Sequence, residues 1–453
     1  MHSWRSIALA AGLLAAFVAL GGATASAATE ERVSDRVFLV RDKPDTTTQF
    51  QMIVLAGCSD EPDGQCRGLA HYLEHLVLVG RNPEHTDSAV RMFADAGANG
   101  HTSARATVYV HALPPRPGGP AAELEKLFQF YAARLQDFAI SETEATRELN
   151  VVLQEHDWRV GSSPFRRFER RLDRELIPDH PGGQWTIGTR DSIQALTLAD
   201  AQAFHRAWYA INNAYFVIKA DISPEDLKAI AARTLGPLRA KRLPPRALLK
   251  QPAVPIERKT FAESDKGVRR ATVFYRKLMR IETGDASAQR AARSVLLSFL
   301  RSRLPGSPHD VLVDKQELAN GTPSINVDRV APKTFALRMT AEVAPDVPVD
   351  QLRAALEEYV DGLARIDVPP DTIERLKKRS EEARKNEERD ASAVYSRLVM
   401  WLSNRNDYAE LAQWPARIRE VTPSAVREAM VSFTTKGRVV TGTLSPSNEA
   451  ASR

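Results

Sequence analysis

The stretch LTLADAQAFHRAWYAINNAYFVIKADISPEDL (196–227) returns, altered but in order, as VTPSAVREAMVSFTTKGRVVTGTLSPSNEA (421–450). Each copy opens with a threonine placed to cap a helix. It continues with the period of an amphipathic helix, then turns into a β-rich strand that ends in Ser-Pro. Thr197 and Thr422 stand 225 residues apart, and Ser223 and Ser445 stand 222 apart. Two elements kept at nearly one spacing predict a duplicated unit of about 220 residues; chance similarity is the competing account of so faint a repeat. A chain of 453 residues is in any case too long for one core. Between the copies, RLPPRALLKQPAVPIERKT (242–260) holds four prolines and reads as an extended linker. Each half mixes strand patterns (QFQMIVLAG, RRATVFYRKL) with long helical ones (PAAELEKLFQFYAARLQDF, DTIERLKKRSEEARKNEERD). The expected fold class is therefore α+β: two related domains, 28–241 and 261–453, each a mainly antiparallel sheet packed with helices.

The first 27 residues fit neither half. Arg5 is followed by an apolar run from Ile7 to Leu20 and by Ala25-Ser26-Ala27, the layout of a cleaved secretory signal peptide. An uncleaved anchor is the other reading, but the apolar core is short for a membrane span. No later stretch approaches 18 apolar residues, so a periplasmic or secreted chain without a membrane anchor is expected after cleavage. The net charge of +5 falls to +4 without Arg5, too little and too dispersed to argue for nucleic acid. Basic runs such as FRRFERRLDR (165–174) are interleaved with acids and read as solvated helix faces.

Histidines are unevenly placed: five of the ten fall between positions 71 and 111, and only His309 lies beyond 205. Three ionisable residues sit inside the apolar segment RGLAHYLEHLVLVG (67–80), where burial is costly unless something compensates it. With His71 at 0° on a helix, His75 falls at about 40° and Glu74 at about 300°, so one stripe carries all three. Imidazoles at i and i+4 can share one metal ion, and the carboxylate reaches the same region without having to ligate. H-x-x-E-H inverts the zinc-protease order H-E-x-x-H. A buried helix with satisfied histidines is the competing reading of that motif alone. The matching segment of the second half, SAQRAARSVLLSFLRSRL (287–304), has no histidine and no acid.

A zinc site needs a third protein ligand, and SETEATRELNVVLQEHDW (141–158) offers candidates. Ser141 and Glu144 form a capping box that starts a helix. With Ala145 at 0°, Leu149 and Val152 mark the buried face, and Glu148 and Glu155 fall at about 300° and 280°, beside it. A solvated pair at i and i+7 is the alternative. Ahead of the first helix, Cys58 and Cys66 are the only cysteines. In an oxidising compartment they are candidates to close a small loop, with two free thiols as the alternative.

Taken together, GLAHYLEHLVLVG, AGANGHTSARATVYV (96–110), EATRELNVVLQEHDW and HPGGQWTIGTRDSIQALT (180–197) resemble, in order and spacing, the pitrilysin family of inverted-motif zinc metallopeptidases. The resemblance is weaker in the second half. It implies one zinc ion per chain, with His71, His75 and Glu155 as ligands and Glu74 as the general base that activates water. It makes Glu148 an outer acid that orients a ligand histidine. Residues 98–102 resemble the family's edge strand, on which peptides lie by β-augmentation, with Asn99 and Thr102 as the substrate-binding candidates. The family commonly carries an Arg/Tyr pair in its second half; Arg329 is a weak candidate here, with no tyrosine at a convincing spacing. Four such domains usually close a chamber. Two per chain therefore imply a homodimer, or a heterodimer with a zinc-less homologous subunit, acting on peptides or unfolded polypeptides. The expected activity is that of an exported zinc endopeptidase. The alternative is a non-catalytic or partner-dependent subunit of such a peptidase, and an unrelated metal-storage protein would leave Glu74 unexplained.

Overall fold

Eleven strands form two sheets in a computed structural model that describes residues 30–81, 88–178, 180–246, 251–282 and 287–447. The expected leader and residues 247–250 of the linker lie outside the described residues. The first sheet contains β1 (Glu30–Arg32), β2 (Val37–Arg41), β3 (Thr48–Val54), β4 (Asn99–Thr102), β5 (Thr107–Leu113) and β6 (Ala214–Ala220), in the order β1-β2-β6-β3-β5-β4. The second contains β7 (Glu257–Asp265), β8 (Thr272–Arg280), β9 (Ser324–Ala331), β10 (Thr334–Glu342) and β11 (Arg438–Pro446), in the order β7-β11-β8-β10-β9. Every pairing is antiparallel except β2 with β6 and β7 with β11. Apart from β1, the two sheets share one topology: the first long strand of each half runs parallel to its last.

The repeated helix–strand unit is visible in both halves. Thr197 Oγ1 accepts from Asp200 N at 3.1 Å, and Thr422 Oγ1 accepts from Ala425 N at 3.2 Å, each at the start of a helix (Leu198–Trp208 and Pro423–Thr434). The copies part at Ser-Pro. Ser223 caps the helix Pro224–Leu235, whereas Ser445 and Pro446 are the last residues of β11. β7 begins at Glu257, four residues inside the stretch read as linker.

One face of each sheet carries the helices of its own half. Val37, Leu39, Phe50, Met52 and Phe216 pack beneath the helices Leu69–Val79, Ala121–Gln136 and Leu198–Trp208. The opposite face is also buried, which explains why β2 reads VFLV without the alternation of a half-exposed strand. Its cover comes from the other half. Phe38, Val40, Ile53, Val108 and Val217 meet Val394, Tyr395, Leu398 and Leu402 of the helix Ala391–Ser403. In return Phe168, Leu172 and Leu176 of the helix Pro164–Leu176 cover Phe274, Leu278, Ala336, Val440 and Leu444 of the second sheet. Each half lends one helix to the other's sheet.

Candidate metal centre

Leu69–Val79 forms a helix between Gly68, at φ 92°, and Gly80. Leu73, Leu76 and Val77 are buried, and Tyr72 Oη donates to Ala145 O at 2.9 Å, pinning this helix to Glu142–His156. That second helix starts at the Ser141–Glu144 capping box and carries the carboxylates toward the histidines.

Three donors converge. His71 Nε2 lies 3.4 Å and His75 Nε2 3.5 Å from Glu155 Oε2, and one donor atom from each residue falls within 4.8 Å of the others. A tetrahedral ion with bonds of about 2.1 Å separates its ligand atoms by about 3.4 Å, so two imidazoles and one carboxylate at these spacings suit zinc. Glu148 Oε2 stands 3.6 Å from His75 Nδ1, on the side of the ring away from Glu155. Burial and the neighbouring His75 push His71 down to about 4, which keeps it neutral and able to ligate. Burial opposes charge on His75 too, but Glu148 and Glu155 outweigh it and hold this ring up at about 9. Glu155 stays below the ordinary carboxylate range despite its partial burial, because His75, His71 and Arg159 favour its charge.

Glu74 is 4% exposed, and burial pushes it up to about 7. It is not a member of the converging set. Instead Thr102 Oγ1 donates to its Oε2 at 2.6 Å from the end of β4, the outermost strand of the first sheet. Gly100 brings that strand close: a Cβ there would stand 2.7 Å from Glu74 Oε1 and 2.9 Å from its Cγ. Asn99 is exposed at the start of β4, and its Oδ1 accepts from Gly100 N at 2.8 Å. The structure thus places Thr102 against Glu74 and leaves Asn99 at the open edge of the sheet.

Some contributors were not singled out from sequence. Arg159, in the π-helical turn Asp157–Gly161, forms an ion pair with Glu155 Oε1 and leaves Oε2 to the histidines; its i+4 spacing from Glu155 was the available signal. Glu61, 3% exposed, accepts backbone N–H groups at the start of the helix Leu69–Val79, and burial raises it to about 7. Cys58 and Cys66 are paired in a disulfide and buried. Arg329 lies on β9, where its carbonyl accepts from Arg105 Nη2 at 3.1 Å at the junction of the halves.

Comparison with known proteins extends these observations. Residues 36–177 match the profile of the insulinase family (peptidase family M16), and residues 195–380 match the profile described as the peptidase M16 inactive domain. The zinc protease PqqE of Helicobacter pylori is 23% identical over 334 residues, 73% of this chain and 72% of that protein. Protease 3 of Salmonella typhimurium is 27% identical over 340 residues, 72% of this chain but 34% of that protein. The chain accordingly spans about a third of the length of Protease 3. Among solved structures, a protease from Helicobacter pylori superposes with a TM-score of 0.74 at 19% identity, over 93% of this chain and 100% of that one. The periplasmic protease PqqL from Escherichia coli gives a TM-score of 0.74 at 18% identity, over 96% of this chain and 49% of that one.

Proposed function

We propose that this chain, which belongs to the insulinase (peptidase M16) family, is an exported zinc endopeptidase that hydrolyses peptides or unfolded polypeptides. The observation that carries this reading is the convergence of His71, His75 and Glu155 beside a carboxylate, Glu74, that is close but held apart by Thr102. A storage site has no use for such a fourth group.

His71, His75 and Glu155 would hold one zinc ion, which when bound lowers the pKa of water and polarises a carbonyl. Glu74, buried and poised near neutrality, takes a proton from the attacking water and returns it to the leaving amine. The Thr102 hydroxyl orients the carboxylate during both transfers. A peptide adds to the free edge of β4, where main-chain hydrogen bonds align it and Asn99 meets it first. Glu148 fixes the His75 ring, and Arg159 keeps Glu155 ionised.

Purified mature protein is expected to hold about one zinc per chain and to cleave unstructured peptides until a chelator is added. Glu74→Gln keeps the zinc and loses cleavage; a variant as fast as the parent would falsify the base assignment. A partner-dependent subunit is the second reading, favoured by the chain's covering only 49% of PqqL. Zinc binding without cleavage of any peptide in a broad library, until a second subunit is added, would decide for it. Sedimentation of the active species separates a homodimer from a pair with a zinc-less homologue.

A further inference from the structure

The loop from Gly57 to Arg67 lies between the metal helix, the edge strand and the second half, and the steps above make no use of it. The Cys58–Cys66 disulfide closes its base. Inside it, two adjacent acids face opposite ways, and both side chains are buried.

Glu61 faces the metal helix. Its Oε2 accepts from Arg67 N at 2.7 Å and its Oε1 from Ala70 N at 2.9 Å. A helix leaves its first amides without internal partners, and the residue at the capping position here is Gly68, which has no side chain to offer. Glu61 supplies the missing cap from upstream, its carboxyl oxygens standing at the positive end of the helix dipole. His71 is the third residue of that helix and His75 the seventh.

Asp60 faces the second half. Its Oδ1 accepts from Arg246 Nη1 at 2.9 Å, and its Oδ2 accepts from Gly57 N at 3.0 Å and from Arg405. Arg246 lies in the linker region and continues to Asn213 Oδ1 at 2.8 Å. Arg405 lies between the helices Ala391–Ser403 and Tyr408–Arg419 at φ 60°, and also donates to Leu55 O at 3.1 Å. The loop grips the edge strand as well. Cys58 N donates to Ser103 O at 3.1 Å and Ser59 Oγ to Ala104 O at 2.5 Å, in the turn that follows Thr102.

We propose that Asp60 and Glu61 are positioning residues: Glu61 sets the start of the metal helix, and Asp60 holds the loop against Arg405. Through this pair the half without metal ligands fixes the placement of the donors in the half that has them. Arg246 stays on Oδ1 when Arg405 is lost, but the buried Oδ2 loses its cation and must regain water, which displaces Asp60 and, one peptide unit away, Glu61. The proposal rests on the metal centre argued above.

The test uses the full mature chain, with Arg405→Ala, Arg405→Lys, Asp60→Asn and Glu61→Gln. Cobalt(II) titration reports the ligand set through the visible spectrum, and amide hydrogen exchange of the metal-free protein reports the helix directly. Arg405→Ala and Glu61→Gln are expected to weaken cobalt binding by about 10- to 100-fold, the range for groups that act through a ligand. They should also shift the visible bands and speed exchange of the first-turn amides of Leu69–Val79, with kcat falling more than KM changes. Arg405→Lys, which keeps the charge but not the geometry by which Nη2 reaches both Asp60 Oδ2 and Leu55 O, should fall between. A lower Tm with cobalt affinity, spectrum and helix exchange unchanged would overturn the proposal. If Arg405→Ala does not fold, Arg405→Lys and Glu61→Gln carry the same comparison. A parent chain that binds no cobalt would instead sink the metal-centre reading, and helix exchange alone would then decide the roles of Asp60 and Glu61.

Discussion

Gly100 is the position where one added carbon meets the centre most directly. An alanine Cβ would press on Glu74 Oε1 and Cγ, so either the strand or the Glu74 side chain must move. Gly100→Ala is expected to lower kcat by about 100-fold, the scale of an ångström-sized misplacement, while zinc content and Tm stay near those of the parent; steady-state kinetics with metal analysis checks this. Away from the site, His111 and His205 are buried, and burial depresses each to about 4. An unfolded histidine takes its proton near 6.5. Between those values the unfolded chain binds more protons, so stability is full above about 6.5 and is lost as the pH falls toward 4. Each group contributes up to about 3 kcal/mol to that loss. Urea midpoints followed between pH 7 and 4 should fall, and should fall less steeply in His205→Gln. At this scale the stripe of His71, Glu74 and His75 was legible because helical period alone aligns it; the period also set Glu148 and Glu155 beside a buried face, but the choice of Glu155 between them came from the family resemblance. Glu61 was not: its role depends on a chain reversal closed by Cys58 and Cys66, and no local period records that.

Helices mark the next scale. Leu69–Val79 and Ser287–Leu300 occupy matching places in the two halves, and matching their buried positions sets Arg290, Arg293 and Ser294 where His71, Glu74 and His75 stand. The contrast between the copies was readable from composition. The exchange of Pro164–Leu176 and Ala391–Ser403 was not, because an amphipathic pattern says that a helix covers something without saying which sheet. That exchange has a measurable consequence. Phe168→Ala removes a fully buried ring from the second sheet's cover, and Leu398→Ala removes the corresponding packing over the first. Costs of about 3–5 and 2–5 kcal/mol are expected. Chemical denaturation monitored separately in each half should show both halves weakened by either change. Loss confined to the half that carries the substitution in its sequence would contradict the packing.

At the scale of the molecule, the two sheets form a structure that neither could complete alone. The first half produced by itself, residues 28–246, would expose Phe38, Val40, Ile53, Val108 and Val217. It is expected to aggregate when expressed alone and to be soluble when co-expressed with residues 251–447. Co-purification of the two fragments with zinc bound checks the expectation, and a soluble, zinc-loaded first fragment on its own would count against it. The duplication and the α+β class were legible at this scale from Thr197 and Thr422 and from the strand patterns. The sheet order was not, since β6 enters between β2 and β3 only after the 100 residues of helices and loops that follow β5.

The crossed helices make the contact between the halves reciprocal. A single unit of this design has no partner for the back of its sheet or for its protruding helix. Two identical copies, related by a twofold axis, satisfy each other on both counts. The arrangement is thus the packing expected of a symmetric pair, held here within one chain by the proline-rich connection. Within that pairing the two helices differ in content: Leu69–Val79 carries His71, Glu74 and His75, whereas Ser287–Leu300 has neither histidine nor acid.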